Sequence, residues 1–202
     1  MSSVRQQNFL LRKEKILSMA EMLLLDNNQD ITLSELAAEL DIAKGTIYKH
    51  FKSKNQLYLE LIILNEKRLL DISKKYNNDI KTYVSQYMLY NMLNSNRTIL
   101  LHVIEDRLTN NERKLKELFE ELYLVREERI IEIKEMTSAY LKSLDSAMSI
   151  RDYLSYIWTV TYGASLLLNS THYQKSIGSR ERLIKLYINQ ALMTPDKISA
   201  VV

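Results

Sequence analysis

Residues 45–54, GTIYKHFKSK, hold three lysines, a histidine and two aromatic side chains, with no carboxylate among them. Unopposed cations interleaved with aromatics are suited to a nucleic-acid backbone, where ammonium groups meet phosphates and rings pack on sugars. A helix that enters the major groove needs small or hydrogen-bonding residues at its start, where its backbone nears the base edges. Lys44, Gly45 and Thr46 meet that need. Ile47 and Phe51, four residues apart, share one helix face and serve as anchors to a core. Tyr48 can reach a phosphate with its hydroxyl, and Lys49, His50 and Lys52 fall on exposed or flanking positions. Lys54 stands at the first turn of the next helix, where free backbone N–H groups and the helix dipole already favour an anion. An ordinary solvated face could also carry scattered lysines. It would not explain the early glycine or the start signals on either side.

Those signals define the elements that position the basic run. Thr32 and Glu35 have capping-box spacing, and Ile31 and Leu36 have the spacing of a hydrophobic staple. The helix they open, LSELAAEL, lasts about two turns to Leu40, and Asp41-Ile42 interrupts it. A second short helix runs from Ala43 to His50. Ser53 and Gln56 form another capping box and open a long helix to about Tyr76. Upstream, Phe9, Arg12, Ile16, Met19, Ala20 and Leu23 follow the helical period up to a polar stop at 26–30. Two short helices joined by a tight turn, flanked by longer ones, make a helix-turn-helix pattern. Downstream, helices are expected at about 78–94, 97–108, 112–144, 149–171 and 179–193, with Pro195 ending the last.

Composition agrees. Among 202 residues there are three glycines and one proline, so turn-formers are scarce and an all-α fold is expected. The absence of cysteine removes disulfides and thiolate chemistry. No signal-peptide pattern opens the chain and no apolar run nears the ~18 residues of a membrane span, so a cytoplasmic protein without membrane contact is expected. There is no glycine-rich phosphate loop and no plausible Ser-His-acid set. Neither an enzyme nor a cofactor is therefore expected. His102, Glu105 and Asp106 share a helix face, but no second histidine cluster completes a metal site.

The run 31–62 resembles the DNA-binding region of tetracycline-repressor-like (TetR family) transcriptional regulators, most closely over 46–54. The resemblance implies a helix-turn-helix DNA-binding domain over residues 1–54. It also implies a helical ligand-binding and dimerisation domain over 55–202, with helix 55–76 connecting the two. By position it implies groove-facing roles for Lys44, Gly45, Thr46, Tyr48 and Lys49, and phosphate contacts from Thr32, Tyr48, His50 and Lys54. Two departures stand out. Asp41 occupies the place of the usual turn glycine, and Ala43 that of the hydroxyl residue opening the recognition helix.

The resemblance further implies a homodimer on a pseudo-palindromic duplex operator, a small-molecule effector and release of DNA when the effector binds. The segments 149–171 and 183–193 are apolar nearly all round, which calls for burial on two sides. One side suits a subunit interface, with Tyr153, Ile157, Gly163, Ala164, Leu168, Leu183, Leu186 and Tyr187 as its expected residues. Tyr83, Tyr87, Met88 and Asn91 form a stripe, and Tyr123, Tyr156, Trp158 and Tyr162 add aromatic surface. Together they suggest a pocket for an apolar or aromatic ligand. The alternative is a DNA-binding architectural or protein-interaction factor that senses no small molecule.

Overall fold

A computed structural model of the chain describes residues 4–27, 30–111, 115–176 and 179–197. Every regular element among them is a helix: α1 (Val4–Asn27), α2 (Leu33–Glu39), α3 (Lys44–Tyr48), α4 (Lys54–Lys75), α5 (Ile80–Leu93), α6 (Ser95–Asn111), α7 (Lys116–Ser143), α8 (Ile150–Asn169), α9 (Thr171–Gln174) and α10 (Arg180–Lys197). None of the described helices is long and apolar enough to cross a membrane.

The start signals act through the expected atoms. Thr32 Oγ1 accepts from the Glu35 amide at 3.1 Å, and Glu35 reaches back to the Thr32 amide at 2.7 Å. Ile31 and Leu36 are both buried. At α4, Ser53 Oγ accepts from the Gln56 amide at 3.1 Å, but Gln56 reaches back to the Lys52 amide at 2.9 Å. The second arm of that box therefore closes one residue earlier than the spacing suggests.

Packing gathers the helices into two compact units, one of residues 1–64 with 100–121, the other of 65–99 with 122–202. This division differs from the expected break after residue 54. The physical reason is the first half of α4: Leu57, Tyr58, Leu59 and Leu61 are buried, as are Leu101, Ile104 and Leu108 of α6. In the first unit Ile16, Leu17, Ala20 and Leu24 of α1 are likewise buried with Leu36, Ala37, Ile47 and Phe51. Phe9 departs from the expected apolar stripe and is 46% exposed.

In the second unit α5, α8 and α10 pack together, with Tyr83, Val84, Met88, Tyr153, Ile157, Ala164, Ile184 and Ala191 in their shared core. Pro195 does not end α10, which continues to Lys197. Proline lacks the amide that would bond the carbonyl of residue 191. That carbonyl instead accepts from the Tyr153 hydroxyl at 3.4 Å, and the Leu192 carbonyl accepts from Tyr140 at 2.6 Å. Two tyrosine hydroxyls thus bond carbonyls in the turn that precedes Pro195. Part of the break expected at 176–179 and the start of the helix expected at 112 lie outside the described residues.

Candidate nucleic-acid interface and effector core

The turn before α3 shows how a chain without glycine there can still make it. Asp41 adopts the left-handed conformation, φ 51°. The amide of Asp41 bonds the Ala38 carbonyl at 3.1 Å and that of Ile42 bonds Ala37 at 3.0 Å. This pair of bonds is a Schellman ending to α2. Aspartate enters the left-handed region more readily than most residues, though at some cost relative to glycine. Ala43 is the N-cap of α3 and makes no side-chain capping bond.

Within α3, Ile47 is fully buried, as is Phe51 just beyond it, and the two fix the helix to the first unit. Lys44, Gly45, Tyr48 and Lys49 are exposed, while Thr46 and His50 are half-buried. Four of these six residues lie in α3 itself and Lys49 caps it, and the sequence from 43 to 54 carries no acid. A Cβ added at Gly45 would meet nothing within 4 Å, so no contact within the chain demands glycine there. Thr32 is exposed at the start of α2; its oxygen accepts the capping bond and its proton remains available to donate.

His50 stacks on Phe9, with ring centroids 4.1 Å apart. Desolvation and the neighbouring Arg12, Lys13 and Lys49 hold its pKa below 6.5, against a smaller opposite pull from Glu60.

Lys54 is engaged. Its Nζ lies 2.6 Å from Asp30 Oδ2. Asp30 Oδ1 accepts from the buried Tyr58 hydroxyl at 2.5 Å, and that hydroxyl accepts from the Ile31 amide at 3.1 Å. Arg107 of α6 approaches Asp30 at 4.0 Å and lies over the Tyr58 ring. Partial burial opposes the Asp30 charge, but hydrogen bonds from Lys54 and Tyr58 and the two cations outweigh it and lower the pKa. Sequence reasoning missed Asp30 and Arg107. Asp30 sat inside a polar stop, where acids are unremarkable.

In the second unit the eight residues expected around an effector separate. Tyr83, Tyr87, Met88 and Asn91 are buried together on α5, with the Tyr83 and Tyr87 rings 5.9 Å apart. The Asn91 amide is already committed: Nδ2 donates to the Tyr87 carbonyl at 2.8 Å, and Oδ1 accepts from Thr98 at 3.2 Å. Tyr156 is half-buried and its hydroxyl accepts from Thr194 at 2.9 Å. Tyr123 and Trp158 do not join the interior; they are 61% and 48% exposed. Trp158 stacks on half-buried Tyr162 at 5.5 Å.

Beside Tyr83 and Tyr87 lies a charge cluster absent from the sequence reading. Glu66 of α4 takes Arg126 of α7 at 3.1 Å on Oε1, and Arg129 stands 3.6 Å from Oε2. Arg129 also lies over the Tyr87 ring at 5.5 Å. Burial works against its charge, yet Tyr87, Glu66 and Tyr83 outweigh burial and raise its pKa. Desolvation pushes the Tyr87 hydroxyl up to about 12 and also raises Tyr83. The available signal was an acid at 66 on the same α4 stripe as Ile62, Ile63, Leu69 and Leu70.

The residues expected at a subunit interface also divide. Tyr153, Ile157, Ala164 and Leu168 are at most 3% exposed and belong to the chain's own core, so they offer a partner no surface. Gly163 and Leu186 are exposed, and Leu183 and Tyr187 are half-buried. The outer faces of α8 and α10 instead present Trp158, Leu166, Leu186 and Met193.

Residues 16–61 match the family described as bacterial regulatory proteins, tetR family. The chain is 34% identical over 82 residues to the HTH-type transcriptional regulator QacR of Staphylococcus aureus, covering 40% of this chain and 44% of that protein. It is 30% identical over 84 residues to the HTH-type transcriptional regulator AcrR of Shigella flexneri, covering 42% of this chain and 35% of that one. The chain thus aligns with less than half the length of these curated relatives.

Proposed function

We propose, from the match of residues 16–61 to the tetR family of bacterial regulatory proteins, that the chain is a homodimeric repressor of transcription released from DNA by a small effector. The observation that carries the reading is α3 itself. Lys44, Gly45, Tyr48 and Lys49 stand exposed on a helix pinned from behind by Ile47 and Phe51. Thr46, at the edge of that face, and Lys49 read base edges, while Thr32, Tyr48, His50 and Lys54 hold phosphates. Two-fold symmetry calls for a pseudo-palindromic operator with half-sites one helical turn, or a multiple, apart.

The second copy docks on the outer faces of α8 and α10, where Trp158, Gly163, Leu166, Leu186 and Met193 are exposed. The effector is apolar or aromatic and enters the core around Tyr83, Tyr87 and Met88. It acts by binding one conformer of the chain more tightly than the other. The alternative, a DNA-binding factor without an effector, draws support from Asn91, whose amide is spent internally.

Selection from a random duplex pool tests the DNA reading. An enriched inverted repeat is expected, with Thr46→Ala and Lys49→Ala changing the recovered sequence. Lys54→Ala should lower affinity evenly across sequences. A pool with no enriched sequence would sink it. Thermal-shift screening of the full chain with neutral aromatic compounds separates the two effector readings, because only a sensor yields a compound that both stabilises the protein and releases the DNA.

A further inference from the structure

We propose that the first turns of α1 form, together with α3, a second DNA contact: a cationic groove that takes the sugar–phosphate strand flanking the bases read by α3. The inference rests on the DNA-binding reading and extends it to residues outside the helix-turn-helix.

A groove of about 680 Å³ runs between these two elements, lined by Arg5, Asn8 and Arg12 from α1 and by Thr46, Lys49 and His50 from the α3 side. None of its lining residues is acidic. Positions 5, 8 and 12 share one stripe of a helix, so their donors converge on the same side. Nothing in the core explains this stretch, since every residue from Val4 to Arg12 is exposed and the buried face of α1 begins at Ile16.

The cations of α1 also divide by their engagement. Lys13 pairs with Glu60 at 2.5 Å and lies over the Phe51 ring, so it is held inside the unit. Arg5 and Arg12 have no ion-pair partner among the described residues. The stack of Phe9 on His50 ties these turns of α1 to the end of the recognition helix. His50 Nδ1 is enclosed, and no hydrogen-bond partner meets it among the described residues. Two uncommitted guanidinium groups, an amide and a lysine make an arrangement for phosphate oxygens. Arginine and asparagine donors there fix register without selecting sequence.

The test uses the full chain, a duplex recovered by the selection above, and the double variant R5Q/R12Q. Hydroxyl-radical footprinting should show the outermost protected sugars of each half-site lost in the variant. Its log–log salt slope should shrink by roughly 3 to 4 for a dimer, two arginines in each subunit. The enriched base sequence should stay the same, R5K/R12K should restore the slope, and circular-dichroism melting should show the variants folded. An unchanged footprint and slope in R5Q/R12Q, with the parent binding normally, would overturn the inference alone. A parent chain that binds no duplex would overturn the DNA reading beneath it.

Discussion

The ammonium of Lys54 sits 2.6 Å from a carboxylate oxygen of Asp30, so the charge we assign to a phosphate is countered within its own chain. Asp30 is simultaneously held by the Tyr58 hydroxyl and faced by Arg107. A phosphate approaching Lys54 must compete with that carboxylate and also bear its repulsion. Asp30→Asn keeps an oxygen for Tyr58 but removes the charge. DNA affinity should rise for all duplexes alike, with a salt slope steeper by about one per subunit, measured by fluorescence anisotropy. Unchanged affinity would show that Lys54 takes no part in binding.

Ala43 leaves the start of α3 without a side-chain cap. Ala43→Thr should add a hydroxyl that bonds a free amide of the first turn, stabilising the fold by about 1 kcal/mol. The same hydroxyl should tighten DNA binding. Urea denaturation and a DNA titration read the two effects separately, and a gain in neither would mean that α3 cannot accommodate the cap.

Glu66 is shared by two arginines in the second unit. Glu66→Gln would remove the carboxylate that Arg126 and the largely buried Arg129 share, and should cost about 3 kcal/mol in urea unfolding. Replacing Glu66 and Arg129 together with methionine should cost less than Glu66→Gln alone. Equal losses would show that the cluster is not coupled.

His50 gives a pH dependence of defined sign. Its folded pKa lies below 6.5, so at acidic pH the unfolded chain takes up a proton that folded His50 resists. The stability it contributes is present above about pH 6.5 and is lost as pH falls from there through the lower folded pKa. His50→Gln should remove this slope from thermal melts between pH 5 and 8. Losses from Asp30 and Glu35, whose pKa values are lowered from 3.8 and 4.5, fall at more acidic pH.

Much of the first unit was legible because its signals are local. Capping boxes act within four residues, and the anchor pair Ile47 and Phe51 needs only the helical period. The turn at Asp41 was legible only through the family resemblance, in which a glycine usually stands at that place. What the sequence hid are relationships across distance. Asp30 meets Lys54 and Tyr58 only after the chain has folded back 24 and 28 residues. Likewise, periodicity marks α8 as apolar on many sides but does not say which sides its own chain covers. Tyr153, Ile157, Ala164 and Leu168 went to the core, and Trp158 and Leu166 stayed outside. Pro195 reads as a terminator, yet a tyrosine 42 residues earlier supplies the bond its helix lacks.

The claim on which the account turns is that α3 and the start of α4 grip duplex DNA, and a salt titration tests it most directly. The dissociation constant of the full chain for its selected duplex should be measured across a range of potassium chloride concentrations. If a dimer neutralises about six to eight phosphates, the plot of log K against log salt should fall with a slope of roughly −5 to −7. A slope near zero would contradict it.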